Sequence, residues 1–358
     1  MSWRRSPRPR VTSSLREPGL KPGHAIASLA LTVAIAAALD AAAPAVEILT
    51  SIAAMPPHLA GKLREPYGCG QASTGEYVVL DRRGHSVFVI NAGRTEMRQV
   101  LSIGQELGRL LEPGVLSLAS NDIFAIADGP GGYERIQYFG LDGTRVGGFY
   151  LPRRTGTRYT VGAVMINGVS SMTFTGRTFL INQPQSGALI SELSLEGNVV
   201  RSIGAFRKTG YESDPVLHAA LNIGLPLADP SGGFYFVFQT GVPLLRKYDA
   251  TGALVFERHI EGPQLDASIQ AIPTTWPTRP AGSASVPLVP TLVRTAAVDR
   301  SGRVWISLGE PFTYVYDRTG EKIRTVQFRG AGVVEPTSFF FTPDSRILIT
   351  PGCYEFAG

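Results

Sequence analysis

The chain has 358 residues, of which 44% are hydrophobic, so it is long and apolar enough to bury a large core. This composition excludes an intrinsically disordered chain. The formal net charge of +5 comes mainly from the first 45 residues, because the remainder carries only about +1. The usual inference from a basic chain to nucleic-acid binding therefore fails, and we expect no nucleic-acid partner.

Residues 1–45 have the pattern of a secretory signal peptide. Six basic residues precede the uncharged run 25–39, and the small-residue site Ala43-Pro44-Ala45 follows it. The run is shorter than the roughly 20 residues that span a bilayer. We therefore interpret 1–45 as a signal peptide or, if it is uncleaved, as an N-terminal membrane anchor, with an incidental Ala-rich helix as the third interpretation. We expect residues 46–358 to be the exported domain, periplasmic or secreted.

Six short runs rich in aromatic and β-branched residues recur along 46–358, each preceded by turn residues. In chain order they are EYVVLD, IFAIAD, TFLIN, FYFVFQ, VWISL and RILITP. Five of them are followed by a strand, a turn glycine and a further strand, and these glycines are Gly93, Gly143, Gly197, Gly252 and Gly320. Strands at hairpin spacing with a period of about 50 residues predict four-stranded antiparallel blades of a β-propeller. A β-sandwich, the alternative, does not explain the recurring second hairpins.

The repeats resemble the NHL-repeat-like six-bladed β-propellers of bacterial exported proteins. The matching pattern is Asp/Ser-x-Gly, an apolar strand and an aromatic-Asp-x-x-Gly turn, as in DRSGRVWISL with YVYDRTGEKIRTVQF. The second and third units depart from it, with LDGTRVGG and LEGNVV at their turns. The resemblance implies an all-β, six-bladed fold over about 46–358, but this architecture serves binding scaffolds, lyases and lactonases alike.

The sixth unit contains strands around SFFFTP, RILITP and YEFAG and lacks a fourth. We expect VEILTSI, residues 46–52, to supply that strand, so that the N-terminal strand closes the last blade and removes an exposed sheet edge.

Cys69 and Cys353, the two cysteines, fall in neighbouring blades one and six. Cys69 is expected to precede the first inner strand of blade one, and Cys353 follows the second strand of blade six. Both kinds of connection lie on one face of a propeller, so the pair predicts a disulfide that an exported protein can keep. Two unpaired buried thiols are the alternative.

Polar side chains end the second strands and are expected to face one rim of the central channel. They are Asp81, Asp128, Asn182 and Gln239, and Glu310 lies close to the equivalent place in blade five. Oxygens at such positions commonly accept backbone N–H groups and close the next turn. We interpret them as candidate ligand-binding residues, and a ring of oxygens for Ca²⁺ is what the resemblance to propeller lactonases implies.

Three histidines, His58, His85 and His218, fall in connections on the same predicted face. Three imidazoles hold Zn²⁺ with an open position for water, as in the amidating-lyase propellers that this fold resembles. Scattered histidines are more often ordinary surface or turn-packing residues, so zinc is kept as the alternative.

Two basic links on this face contribute Arg154, Arg158 and Tyr211. Arginine beside tyrosine binds carboxylate, phosphate or sugar groups, whereas solvated loop charge is the simpler interpretation. The Pro-rich insertion 263–290, which holds Trp276, either covers the channel or wraps a blade edge.

The sequence contains no G-x-S-x-G, phosphate-binding glycine loop, H-E-x-x-H or C-x-x-C motif. We therefore expect a monomeric binding or scaffold protein that recognises a small polar ligand or a partner protein on the channel face, without a cofactor. Membrane contact is expected only through an uncleaved N-terminal segment. The alternative is a propeller hydrolase or lyase, such as a lactonase-like enzyme, that depends on calcium or zinc.

Overall fold

The recurring apolar runs form the buried second strands of six β-sheets in the computed structural model of the protein. The structure describes residues 45–130, 133–152, 159–161, 164–166, 171–281 and 284–358. All but the last residue of the predicted signal peptide or anchor, 1–45, therefore lie outside the described residues. These second strands are mostly apolar because neighbouring blades cover both of their faces.

Each of the first three blades is a four-stranded antiparallel sheet whose strands follow the chain from the inside outwards. Blade one contains β2 (Pro66–Gln71), β3 (Tyr77–Asp81), β4 (Ser86–Ile90) and β5 (Met97–Leu101). Blade two contains β6 (Val115–Leu118), β7 (Phe124–Asp128), β8 (Arg135–Phe139) and β9 (Arg145–Tyr150). Blade three contains β12 (Met172–Phe174), β13 (Phe179–Ile181), β14 (Ala188–Leu193) and β15 (Val199–Ala205).

Blades four to six continue the same order. Blade four contains β16 (Gly224–Ala228), β17 (Phe234–Phe238), β18 (Leu244–Tyr248) and β19 (Leu254–His259). Blade five contains β22 (Val293–Val298), β23 (Val304–Leu308), β24 (Thr313–Tyr316), β25 (Lys322–Arg329) and the short β26 (Val333–Val334). Blade six contains β27 (Ser338–Phe341), β28 (Arg346–Thr350) and β29 (Tyr354–Ala357). The predicted six-bladed all-β propeller is confirmed.

The hydrophobic core is divided among the six interfaces between blades. Val78 and Leu80 of blade one, for example, pack against Phe124 and Ile126 of blade two. Equivalent clusters join blades two to three, three to four, four to five and five to six, and the last joins six to one. The blades therefore close into a ring, with burial between them as the main source of stability.

The N-terminal strand β1 (Val46–Thr50) pairs with blade five, which corrects the prediction that it completes blade six. It lies parallel to β25, from Val46 opposite Thr325 to Thr50 opposite Arg329. β25 has eight residues and an open outer edge, and its Arg324 forms a bidentate ion pair with Glu47 at 2.8 Å. These contacts favour blade five, and blade six keeps three strands.

The N-terminal segment nevertheless reaches blade six immediately after β1. Ala53 forms an antiparallel bridge with Glu355, and the Ile52 amide donates to the Glu355 carbonyl oxygen at 2.8 Å. The chain then forms the short helix α1 (Pro57–Ala60) and enters blade one. The ends of the domain therefore meet beside blade six, although β1 does not enter its sheet.

A small extra sheet is built by the links between blades. β10 (Tyr159–Val161) and β11 (Val164–Ile166) follow blade two, while β20 (Thr278–Ala281) and β21 (Ala284–Val289) lie in the Pro-rich insertion. β10 pairs in parallel with β21. The insertion, which also contains α3 (Asp266–Gln270), thus pairs with a link.

A link helix, α2 (Pro215–Ala220), contributes to the same layer as the extra sheet. Its Leu217 shares an apolar cluster with Val289, Tyr211 and Trp276. None of the described helices is long and apolar enough to cross a membrane.

Candidate functional site

A central channel runs between the six innermost strands, β2, β6, β12, β16, β22 and β27, and encloses a cavity of about 380 Å³. Each of these strands pairs on one edge with its own blade and turns the other edge toward the channel. We call the face at which they begin the link face (Pro66, Val115, Met172, Gly224, Val293 and Ser338) and the opposite face, where they end, the turn face (Gln71, Leu118, Phe174, Ala228, Val298 and Phe341).

Hydroxyl side chains of the inner strands connect neighbouring blades around the channel. The Ser171 hydroxyl donates to the Gly224 carbonyl oxygen at 2.7 Å, and the Thr173 hydroxyl donates to the Pro226 carbonyl oxygen at 2.8 Å. In each case a side chain of blade three satisfies a backbone acceptor on the inner edge of blade four. The channel wall is therefore held by polar bonds as well as by packing.

Two glycines let blade one approach its neighbours at the channel wall. A Cβ added at Gly68 would lie 3.1 Å from Leu116, and one added at Gly70 would lie 3.1 Å from Leu118 and 3.2 Å from Phe340. Because such contacts are shorter than ordinary van der Waals separation, side chains here would push the three blades apart.

The charge of the channel wall comes from blade five. Arg294 and Arg300 line the channel, and the described lining residues include no Asp, Glu, Lys or His. Arg294 is the second residue of β22 and lies at the link face, whereas Arg300 follows the end of β22 and lies at the turn face. One strand therefore places a guanidinium group at each mouth, and sequence reasoning missed both. The signal available was their position on either side of an inner strand, VRTAAVDR.

Arg294 is oriented by surrounding backbone and by one acidic side chain. Its Nε donates to the Leu308 carbonyl oxygen at 3.1 Å and its Nη2 to that of Gly309 at 2.6 Å. Glu335 forms an ion pair with Nη2 at 2.6 Å. The side chain of Gln239 donates to the Arg294 carbonyl oxygen at 3.1 Å, so blade four also fixes this part of β22.

Asp81 and Asp128 lie at the link-face ends of their strands, are buried, bind neighbouring groups and are not among the described residues that line the channel. The Asp81 carboxylate accepts the backbone N–H groups of Arg64 and Glu65 at 3.0 and 2.8 Å. Asp128 forms a bidentate ion pair with Arg135 at 2.9 and 2.6 Å. Burial lowers the pKa of Arg135, but the bonds to Asp128 outweigh it and hold that pKa above its ordinary value.

The remaining three strand-end residues, Asn182, Glu310 and Gln239, have different surroundings. Asn182 is fully buried, donates to the Leu189 carbonyl oxygen at 2.8 Å and accepts the Gly224 N–H at 3.1 Å. Glu310 is exposed and accepts a hydrogen bond from the Ser268 hydroxyl at 3.2 Å. Of the five, Gln239 alone is among the described residues that line the channel. Their role in ligand binding stays a prediction.

The three histidines occupy separate surroundings. His58 is exposed, with Nε2 3.4 Å from the Thr95 carbonyl oxygen, and His85 accepts the Glu112 N–H at 3.3 Å. His218 lies in α2, with Nδ1 2.7 Å from the Thr209 hydroxyl. Across the part of the chain that the structure describes, no three His, Cys, Asp or Glu side chains are grouped to hold a metal.

The basic links are described only in part, because Arg154 and Arg158 lie outside the described residues. Tyr211 packs edge-on against Trp276 and donates to the Thr274 carbonyl oxygen at 2.9 Å, which ties the insertion to the preceding link. In the same link, Arg207 is half-buried, and desolvation together with the nearby charge of Arg246 lowers its pKa to about 10.

Cys69 and Cys353 form a disulfide, with Cα atoms 5.9 Å apart, as predicted. Cys69 lies within the inner strand β2, whereas the prediction placed it before that strand. It also lines the channel.

No family model and no characterised protein matches this sequence. Among solved structures, virginiamycin B lyase from Staphylococcus aureus has a TM-score of 0.46 at 10% identity, covering 82% of this chain and 84% of that one. A catalytically inactive variant of that lyase with quinupristin gives 0.48 at 11% identity, covering 82% and 93%. A protein of unknown function from Bacteroides caccae gives 0.44 at 9% identity, covering 73% and 81%.

Proposed function

We propose that this protein is an exported, NHL-repeat-like β-propeller that binds a small polar ligand in its central channel. The observation that carries the proposal is the channel itself, a cavity of about 380 Å³ enclosed by six inner strands. This volume is within the range of small-molecule sites. The wall offers open backbone edges, hydroxyl groups, one amide and two guanidinium groups, which suit polar recognition.

The channel is a better candidate than the ring of strand ends that the sequence indicates. Asp81, Asp128 and Asn182 bind backbone or Arg135, and a ligand would have to break those buried bonds. Gln239 and Arg294 lie at the channel mouth beside this ring. The proposed site is therefore on the predicted face, but the ligand lies inside the channel rather than at the ring of strand ends.

A binding role is favoured over a metal-dependent hydrolase or lyase. Such an enzyme needs several His, Asp or Glu side chains around one point. The described lining residues provide none of these types. Export, periplasmic or secreted, is supported by the signal-like N-terminal pattern, and the disulfide is compatible with an oxidising compartment.

Ligand-observed NMR with a panel of small polar compounds tests the proposal on the purified protein. Ala297→Phe narrows the channel, because Ala297 is a half-buried lining residue of β22. We expect the compounds that bind to lose at least about tenfold in affinity in this variant. Ala250→Phe, at an exposed turn outside the channel, is the matched control and should retain binding.

Two results would contradict channel binding. One is a panel without any binder, which would favour recognition of a partner protein. The other is a set of binders whose affinity is the same in Ala297→Phe as in the parent.

A further inference from the structure

We propose that the ligand of the channel is a small organic anion with an apolar body, whose negative group binds Arg294 at the link-face mouth. This inference rests on the proposed function, because it assumes that the channel is the binding site. It adds the chemical class of the ligand and the residue that orients it.

The first argument is the sign of the charge along the channel. The charged side chains among the described lining residues are Arg294 and Arg300, one at each mouth, and none is acidic. A cleft lined by one sign of charge between low-dielectric walls concentrates ions of the opposite sign. Glu335, which is not among the described lining residues, pairs with Arg294 at 2.6 Å, so a ligand anion competes with it at the link-face mouth. The rest of the domain is close to neutral.

The second argument is the geometry of Arg294. Two carbonyl oxygens, of Leu308 and Gly309, fix Nε and Nη2, and no described residue accepts a hydrogen bond from Nη1. A guanidinium group held in this way is pre-organised for a further acceptor, which lowers the entropic cost of binding.

The ion pair with Glu335 shows that this guanidinium group is accessible to a carboxylate and pairs with one. The side chains of Arg294 and Glu335 are 37% and 45% exposed, so the pair is accessible from solvent. An exposed pair of this kind contributes little stability. A ligand carboxylate can therefore accept a hydrogen bond from Nη1 beside Glu335, or it can displace Glu335 from the guanidinium group.

The third argument is the apolar part of the wall. Three consecutive phenylalanines of β27, Phe339, Phe340 and Phe341, are half-buried lining residues. Each also packs into an apolar cluster between blades, so only the part left uncovered by that packing faces the channel. Leu116 and Leu118 of blade two also line it. A ligand that is anionic at one end and aromatic or aliphatic in its body would match both features, whereas a sugar would leave this apolar surface unused.

Isothermal titration with benzoate, its neutral isostere benzamide and the cation benzamidine tests the inference. We expect benzoate to bind at least about tenfold more tightly than benzamide, and benzamidine to bind most weakly. Higher salt should weaken the binding of benzoate and leave that of benzamide unchanged.

Substitutions assign the preference to the proposed residue. Arg294→Gln should reduce benzoate affinity to that of benzamide, and Arg294→Lys should keep part of the preference. Arg83→Gln removes an exposed arginine from a turn on the same face outside the channel and should change nothing. Circular dichroism and the unfolding midpoint check that each variant folds.

Arg300 provides a second test that does not disturb the fold, because its side chain is exposed. Arg300→Gln should reduce the preference for benzoate by a smaller factor, while Arg177→Gln, the matched turn arginine outside the channel lining, should not.

The possible failures are distinguishable. Equal binding of benzoate and benzamide, both lost in Ala297→Phe, would overturn the anion preference and leave the channel as the binding site. Absence of any binding by the three probes, together with a panel without binders, would overturn both proposals. A preference for benzoate that survives Arg294→Gln and Arg300→Gln would show that other residues carry it.

Discussion

Arg94, in the outer hairpin of blade one, forms an ion pair with Glu355 on the third strand of blade six. The same guanidinium group donates to the Tyr77 hydroxyl at 2.7 Å and to the Ala54 carbonyl oxygen at 3.2 Å. Glu355 is buried and also pairs with Arg346. The buried Glu355 carboxylate thus joins blades one and six where the ring closes, and Arg94 ties the N-terminal segment to the same junction.

Glu355→Gln should lower the free energy of unfolding by about 3 kcal/mol, because it leaves two arginines without their shared counter-charge. Chemical denaturation measures the change. The control is Glu321→Gln, an exposed glutamate at a hairpin turn, which should shift stability by less than about 0.5 kcal/mol. Equal effects of the two variants would contradict a role for Glu355 in closing the ring.

The disulfide closes the same junction covalently. Replacing Cys69 and Cys353 together by Ser should lower the free energy of unfolding by about 2 to 5 kcal/mol, since the bond closes a loop of nearly the whole domain. Dithiothreitol should lower the unfolding midpoint of the parent and leave that of the double variant unchanged. A parent that is insensitive to dithiothreitol and shows no shift on a non-reducing gel would contradict the bond.

Asp128 tests whether the predicted strand-end ring is structural. Asp128→Asn should lower the free energy of unfolding by about 3 to 5 kcal/mol, because Arg135 would be left buried without its counter-charge. Glu310→Gln, at the exposed member of the ring, should change stability by less than about 0.5 kcal/mol. If Asp128→Asn were as stable as the parent but lost ligand binding, the strand-end interpretation would be favoured over the channel.

Much of the fold could be predicted because its second strands are buried on both sides. Runs such as VWISL and FYFVF are almost entirely apolar and follow turn residues, so they can be recognised without knowing their strand register or their pairing partner. The prediction that a glycine makes the turn of each outer hairpin is confirmed less uniformly. Gly143, Gly197, Gly252 and Gly320 have positive φ, but in blade one the left-handed residue is Arg94, one position after Gly93.

The pairing of β1 could not be predicted, because an edge strand with exposed residues carries no pattern that names its partner. The N-terminal segment lies beside the outer edges of both blade five and blade six. The ion pair of Glu47 with Arg324 favours blade five, but the sequence alone does not show that these two residues meet. The pairing of β10 with β21 in the extra sheet could not be predicted from the sequence either. The channel arginines were missed because inner strands are short and their lining positions depend on the whole ring.

Metal analysis addresses the alternative function directly. We expect the purified protein to contain neither calcium nor zinc in stoichiometric amount, since the described residues provide no group of three ligands. EDTA should leave the unfolding midpoint and ligand binding unchanged. Stoichiometric metal that is lost in His85→Ala or Asp81→Ala, together with an activity, would favour the hydrolase or lyase over the binding protein.

The last prediction concerns acid stability and Asp229, at the turn between β16 and β17. Burial raises the pKa of Asp229, but hydrogen bonds from Ser231 and the charge of Lys247, 3.3 Å away, outweigh it, and the pKa lies below its ordinary value. The folded state therefore binds its proton less readily than the unfolded state. The stability that the carboxylate contributes is present above the unfolded pKa near 4 and is lost as the pH falls through the folded pKa.

Asp229→Asn should therefore lower the free energy of unfolding by about 1 to 3 kcal/mol at pH 7. The difference from the parent should shrink steadily below about pH 4, because the parent loses its charged interactions there and the variant has none to lose. Lys247→Gln keeps the carboxylate and the Ser231 bonds, so its difference from the parent should shrink over the same range but start smaller. Urea denaturation between pH 7 and about pH 3 measures all three proteins, and a constant difference for Asp229→Asn across that range would show that the carboxylate charge contributes nothing.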